Sequence, residues 1–518
     1  MKKSVLYDKI VFIYVDFIFG EIEMFKAGFD NERYLKLQSN KIKERISLFG
    51  ERLYLEFGGK LFDDFHASRV LPGFAPDSKI RMLSELRDDA EIIISINAED
   101  IEKNKVRGDL GITYDLDVLR LIDAFRGWGL YVGSVVITKF KPSAVAEAFK
   151  QKLENLGLKV YKHYEIAGYP HNVPLILSDE GFGRNEYAET TRSIVIVTAP
   201  GPGSGKMATC LSQIYHESKM GRKSGYAKFE TFPIWNIPLN HPVNLAYEAA
   251  TADLNDVNML DPFHLEAYGV TTVNYNRDVE VYPVLRSMLT GILGVCPYKS
   301  PTDMGVNMVG SCIFDNEAVS TAAEQEIIRR YYNALCNLRK GNGNDMEVHK
   351  IELIMQKLGL DVTKKRKCVV SAIAKAVETD APAAAIELND GRIVTGKTSS
   401  LLGPSSAAVL NALKAIAGID KDTDVISPEI LAPIQKLKTE FLGNHNPRLH
   451  IEEVLIALSV SAVKSQTAQR AMEALDQLRH TEVHSTVILS QSDAQTFRKL
   501  GMNLSCEPKY QTKKLYHK

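Results

Sequence analysis

The sequence predicts an α/β fold: a Rossmann-like parallel sheet with helices on both faces in the N-terminal region, then a helical segment and a smaller α/β domain. Three observations predict it. Short β-rich runs alternate with helical periodicity from about residue 50 to 200, as in βαβ units. The run Ser193–Thr198 is apolar on both faces of a strand, which suits a central, doubly covered position. A glycine-rich turn then separates that run from a helix through about Lys219.

The elements follow in order. Strands are expected at Leu53–Phe57, Glu91–Ile96, Gly133–Thr138 and Pro174–Leu177, and helices near Lys79–Arg87, Asp115–Phe125 and Pro142–Leu156. Helical spacing continues over 241–268, and Tyr282–Leu293 reads as a helix ending at Gly294. Another helix, Glu324–Arg339, is followed by Gly-Asn-Gly-Asn at 341–344, and Lys364-Lys365-Arg366-Lys367 reads as a charged punctuation. Residues 369–440 are rich in Ala and Ser, and the one-sided stripe over 451–478 predicts one long helix or two broken ones. The expected domains are an N-terminal extension or loose arm, 1–23; an α/β domain, 24–320, either whole or as two sub-domains dividing near 172; a helical segment, 321–368; and a small α/β domain with long helices, 369–518.

The 518 residues carry 63 Lys+Arg against 64 Asp+Glu, a net charge of −1, which argues against a basic surface for nucleic acid. With 45% apolar and 25% charged residues the chain is an ordinary globular one rather than a disordered one. Six cysteines without a CxxC pair point to a reducing compartment, the cytoplasm. The apolar run Ile10–Val15 is short and flanked by Asp8, Lys9 and Asp16, so no membrane span is expected.

The most informative segment is Thr198–Thr209. Its glycines let the backbone approach an anion closely, and the open N–H groups of a helix start carry partial positive charge. Gly201, Gly203, Ser204, Gly205, Lys206 and Thr209 are therefore candidate phosphate-binding residues. Against the GxxxxGK[ST] pattern the segment is one residue short between Gly201 and Gly205. It also has Pro200 at the first glycine position and Met207 at the hydroxyl position, so it is a variant of that loop. The alternative is a tight strand-to-helix connection. A second glycine pair, Gly58-Gly59-Lys60, also follows a strand. With His66, Arg69 and Asp179 it supplies auxiliary candidates, provided these strand ends share one edge of the sheet. Asp253 and Asp256, three apart on a continuing helix, are candidate metal ligands; solvated carboxylates are the alternative. His264 matches no zinc spacing.

The phrases LYLEFGGKLFDDFHASRVLPGF, RGDLGITYD, TAPGPGSGKMATCLSQIYHE, KFETFPIWNIPLNHPVNLAYEAATADLNDVNMLDPFHLEAYG and SPTDMGVNM resemble the bacterial family called domain of unknown function 1846. The resemblance implies a cytoplasmic multidomain α/β protein and no activity. The stretch Ala383–Gly396, the helix from about Ser405 to Ala417 and Val425-Ile426-Ser427-Pro428 are similar in outline to the cytidine-deaminase fold. Glu429 and Ala432 stand where that chemistry needs cysteines, so the resemblance implies a deaminase-like scaffold without zinc.

The expectation is a soluble enzyme binding a phosphorylated small molecule or nucleotide through the glycine turn, with phosphoryl-transfer or phosphate-ester chemistry and Mg²⁺ accompanying a nucleotide. The rival is a non-catalytic homo-oligomeric assembly protein.

Overall fold

A computed structural model describes residues 26–107 and 110–511. The expected arm, 1–23, and Gly108-Asp109 of the RGDLGITYD phrase lie outside them. The chain divides into two compact units meeting between Ser320 and Thr321.

The N-terminal unit is built on seven parallel strands: β1 (Arg52–Phe57), β2 (Ala90–Asn97), β3 (Tyr131–Thr138), β4 (Lys159–Lys162), β5 (Ile194–Thr198), β6 (Ser224–Phe229) and β7 (Gly305–Val306). Their order across the sheet is β7-β6-β1-β5-β2-β3-β4. Strand β5 is central, pairing with β1 (Leu53 beside Ile194) and with β2 (Ala90 beside Ile194), and all five of its residues are buried. This is why its sequence is apolar without alternation. The sheet is continuous across position 172, so β4 and β5 share one layer and the expected subdivision there is absent.

One face is covered by helix α1 (Lys206–Lys219) and, outside it, helix α2 (Asn276–Leu293), which ends at Gly294 as its sequence predicts. Tyr54, Ile93, Val195 and Val197 point into this layer against Cys210, Leu211 and Ile214. By the pleat, Leu53, Leu55, Ile94 and Ile196 face the other way, and they too are buried. Each such Val, Leu or Ile contributes about 1.5–3 kcal/mol.

Two expectations are corrected. Pro174–Leu177 is not a strand: Val173–Ile176 is a single helical turn in which the Asn172 side chain accepts from the Leu175 N–H and Pro174 sits at the helix start, where a missing N–H costs nothing. The helical spacing over 241–268 breaks into the helix Pro242–Ala250, a 3₁₀ turn Ala252–Leu254, a strand Asn258–Leu260 and the helix Pro262–Tyr268. Asn255, at φ 59°, stops the helical path.

In the C-terminal unit a hairpin, β8 (Ala383–Glu387) and β9 (Ile393–Lys397), extends into a four-stranded mixed sheet with β10 (Glu482–Ser485) and β11 (Asn503–Cys506). Helix Pro404–Ile416 packs so close that a side chain on Gly396 would strike its backbone, which accounts for the Ala and Ser content of this region. Helices Ile451–Ala462 and Gln466–Glu473 complete the core, the broken version of the expected stripe. Val425 and Ile426 lie in a bend ahead of the helix Pro428–Lys436.

The charged run 364–367 is more than punctuation between elements. Arg366 is 0% exposed. Its guanidinium pairs with Glu482 and donates to Ser505 Oγ (3.0 Å), Val483 O (3.0 Å) and Asn503 O (2.7 Å), joining β10 to β11. Breaking a buried pair on one side costs about 3–5 kcal/mol, because the partner stays buried and uncompensated. The variant Arg366→Met is therefore expected to lower the unfolding free energy of the C-terminal unit, read from urea titration, by an amount of that order. A loss under about 1 kcal/mol would show that the network is dispensable.

Candidate functional site

In a parallel sheet all carboxyl ends lie along one edge. Strand β2 leads on to β3 on one side, while β5 leads through α1 to β6 on the other side of β1. The crevice where such connections diverge is where open α/β sheets bind ligands, and the glycine turn stands there.

The turn is held by its carbonyls. Thr138 Oγ1, at the end of β3, donates to Ser204 O (3.0 Å), and Ser204 Oγ donates to Gly201 O (3.0 Å). Gly203 and Gly205 have φ of 76° and 82°, and a Cβ on Gly205 would lie 2.9 Å from Thr138, so glycine is needed there for both conformation and space. Among the described residues, the N–H groups of Gly201, Gly203, Ser204, Gly205 and the first turn of α1 have no hydrogen-bond partner. These open donors and their partial charge form a cradle of the kind that favours an anion. Thr209 does not join it: its hydroxyl is buried against the sheet and accepts from Ser95 Oγ (3.2 Å).

Lys206 stands beside the cradle and forms no ion pair among the described residues. Burial lowers its pKa, and the Glu56 carboxylate offsets part of that loss. Glu56, on β1, accepts from Tyr226 OH (2.6 Å) and lies in register with Lys228 of β6. Lys228 pairs with Asp278, in the first turn of α2, and with Glu230 Oε1 (3.0 Å). Burial opposes the Lys228 charge, but Asp278, Glu230 and Glu56 together outweigh it and raise its pKa. Two carboxylates share this ammonium. Asp278 also repels Glu230, and burial is the larger effect on it, so the Glu230 pKa is raised.

The auxiliary candidates are divided. Gly58, Gly59 and Lys60 follow β1 on the same edge, and buried Lys79 pairs with Asp64 (2.6 Å) close beside Gly59. His66 packs edge-on against the rings of Phe232 and Tyr247, and Arg69 is half-buried on the short helix Phe65–Val70. Asp179 is elsewhere: it accepts from Tyr215 OH (3.4 Å), nine residues along α1 and so about 13 Å from the turn. Asp253 and Asp256 share no helical face, since the helix has ended at Ala250. Asp253 is exposed, whereas Asp256 is buried and bound by Arg277 (3.0 Å). Among the described residues no group of three or more His, Cys, Asp or Glu is arranged to hold a metal.

Sequence reasoning missed Glu56, Lys228, Glu230 and Asp278 as site residues. The available signal was Lys-Phe-Glu at 228–230, two charges on the face of a strand that carries Tyr226 one step earlier.

The fold and turn define an open, doubly covered parallel α/β protein with a glycine-rich loop at the divergence of its connections. The chain belongs to the family described as domain of unknown function DUF1846, matching its N-terminal part over residues 27–359 and its C-terminal part over 364–516. It is similar to UPF0371 proteins from Streptococcus thermophilus, 57% identical over 96% of this chain and 100% of the relative. Similar UPF0371 proteins occur in Corynebacterium glutamicum, at 59% over 95% and 99%, and in Streptococcus pneumoniae, at 56% over 96% and 100%.

The raised Glu230 pKa has a definite sign. The folded state holds this proton more tightly than the unfolded chain, so its contribution to stability is complete at acid pH. It is lost as pH rises from the ordinary glutamate range through the raised folded value. The Glu230→Gln variant cannot ionise. In urea titrations from pH 5 to pH 8 it is expected to lose less stability than wild type, and parallel curves would show that Glu230 is already ionised throughout.

Proposed function

We propose that the 201–206 turn binds the phosphate of a phosphorylated small molecule or nucleotide, and that this is the substrate site of a cytoplasmic enzyme of phosphoryl-transfer or phosphate-ester chemistry. The observation that carries this reading is the set of unpartnered N–H groups of the turn beside an unpaired Lys206. Such chemistry asks a protein mainly for positioning and charge neutralisation, and both are supplied by fixed donors. If the ligand is a nucleotide, Mg²⁺ would enter with its phosphates, because Asp256 is already engaged by Arg277. All six cysteines are free thiols, which supports a reducing compartment. No helix among the described residues is long and apolar enough to cross a membrane.

A ligand that binds only the native state stabilises it by about 2.7 kcal/mol at a hundred times its Kd. Thermal shift with inorganic phosphate, ATP and glucose 6-phosphate is expected to raise Tm by several degrees for at least one of them, and Lys206→Ala to abolish the rise. No shift with any of the three, or an undiminished shift in the variant, would remove the turn as the site.

A second reading, a homo-oligomeric assembly protein, is favoured by one surface. Ile456, Val460 and Val463, at i, i+4 and i+7 on and just past the helix Ile451–Ala462, are 63%, 56% and 81% exposed. Phe441 and Leu442 are exposed as well. An apolar stripe of this kind suits a partner helix, here a second copy. Light scattering is expected to give a multiple of the 57.7 kDa chain mass and Val460→Asp to give the single chain. A monomeric wild type ends this reading.

A further inference from the structure

Resting on the phosphate reading of the turn, we propose that the ligand is a polyhydroxylated phosphomonoester, a sugar phosphate, whose phosphate sits on the turn and whose far hydroxyl is bound by Glu230. Glu230 prolongs β6, its N–H donating to Val306 O of β7 (3.1 Å). The strand alternation therefore continues, and Tyr226, Lys228 and Glu230 climb one face toward the carboxyl edge. It is the face of Glu56, since Glu56 and Lys228 are in register, and the face that Lys206 approaches from the start of α1.

Glu230 is 6% exposed. Its Oε1 takes Lys228 and the carboxyl also lies within hydrogen-bonding reach of Asp278, while Oε2 receives no N–H or O–H donor among the described residues. A buried polar atom in that condition is costly, and a ligand hydroxyl, donor and acceptor at once, completes it whether the carboxyl is ionised or protonated. The carboxylate leans toward Gly305, where a Cβ would lie 2.8 Å from Oε2.

Spacing sets the ligand size. Strand β6 is two positions from β5 and β7 three, so Glu230 stands about 10–14 Å from the turn. With a hydrogen bond of about 2.8 Å at each end, the remainder is the length of a phosphorylated sugar. The wall between is charged and suited to hydroxyls: Lys228, Asp278, Arg277 and Glu56. A nucleobase would need a flat apolar slot, whereas Phe232 and Tyr247 are stacked on each other (4.9 Å) and the Trp235 ring packs against Gly305, where a Cβ would lie 2.5 Å from it.

Isothermal titration of the full chain with inorganic phosphate, glucose 6-phosphate, fructose 6-phosphate, ribose 5-phosphate and AMP tests this. At least one sugar phosphate is expected to bind about tenfold or more tighter than both inorganic phosphate and AMP, the size of one hydrogen bond to a charged group. Glu230→Gln should erase that advantage, bringing the sugar phosphates down to the affinity of inorganic phosphate. Glu230→Asp, which keeps the charge and withdraws it by one methylene, should reduce the advantage and serves if the glutamine variant does not fold. The proposal is overturned if no sugar phosphate exceeds inorganic phosphate, if AMP binds tightest, or if both variants keep the preference. If phosphate itself fails to bind wild type, or binds Lys206→Ala equally well, the turn reading has failed instead.

Discussion

A peptide at the centre of a parallel sheet must have its N–H and C=O groups satisfied, and Ile194–Thr198 meets that demand by pairing with β1 on one edge and β2 on the other. Pairing stops at Thr198. Beyond it the chain must reverse into α1 within a few residues, and the way it does so is asymmetric. The two side-chain ties that hold the turn, from Ser204 and from Thr138 of β3, both land on carbonyl oxygens, Gly201 O and Ser204 O. Its acceptors are used to fix its shape while its donors are left over. A turn tied through its amides could have the same path and no affinity for an anion.

This asymmetry separates what could be read in the residue string from what could not. Three glycines and a lysine after an apolar run announce a close backbone approach, because glycine conformation is a local property. The charged groups opposite the turn come from β1, β6 and α2, and their meeting depends on strand order. Strand β5 inserts between β1 and β2, which are consecutive in the sheet's first half, and β6 then falls beyond β1. No spacing between Glu56, Lys228 and Asp278 encodes that order. Thr209 shows the same boundary: helical periodicity locates it on α1, but only the packed sheet shows its hydroxyl turned to Ser95.

Arg366 marks a second limit. Four consecutive basic residues are usually solvated, and the side chains of Lys364 and Lys365 are 82% and 46% exposed, in keeping with that. Arg366 alone is drawn inside because β10 and β11 are parallel neighbours that leave Val483 O and Asn503 O within reach of one guanidinium fork. Its planar geometry suits that pair of acceptors, which the point charge of a lysine at the same position would not. The strands concerned are more than a hundred residues further along the chain, so composition around 366 carries no trace of them.

The charge balance at the carboxyl edge completes the case for an anion. Asp256 is occupied by Arg277, and Asp278 by Lys228. Glu230 is the group that burial and Asp278 push toward its neutral form. Glu56 is a further carboxylate there, and part of its acceptor capacity is taken by Tyr226. Lys206 is thus the cation whose charge is least compensated, while burial, Lys228 and Arg277 all work against it. A cation placed at the turn would meet open N–H groups, a helix N-terminus and this ammonium, all repulsive. An anion there relieves every one of them together, so the turn favours negative charge before any ligand contact with Glu230 is considered.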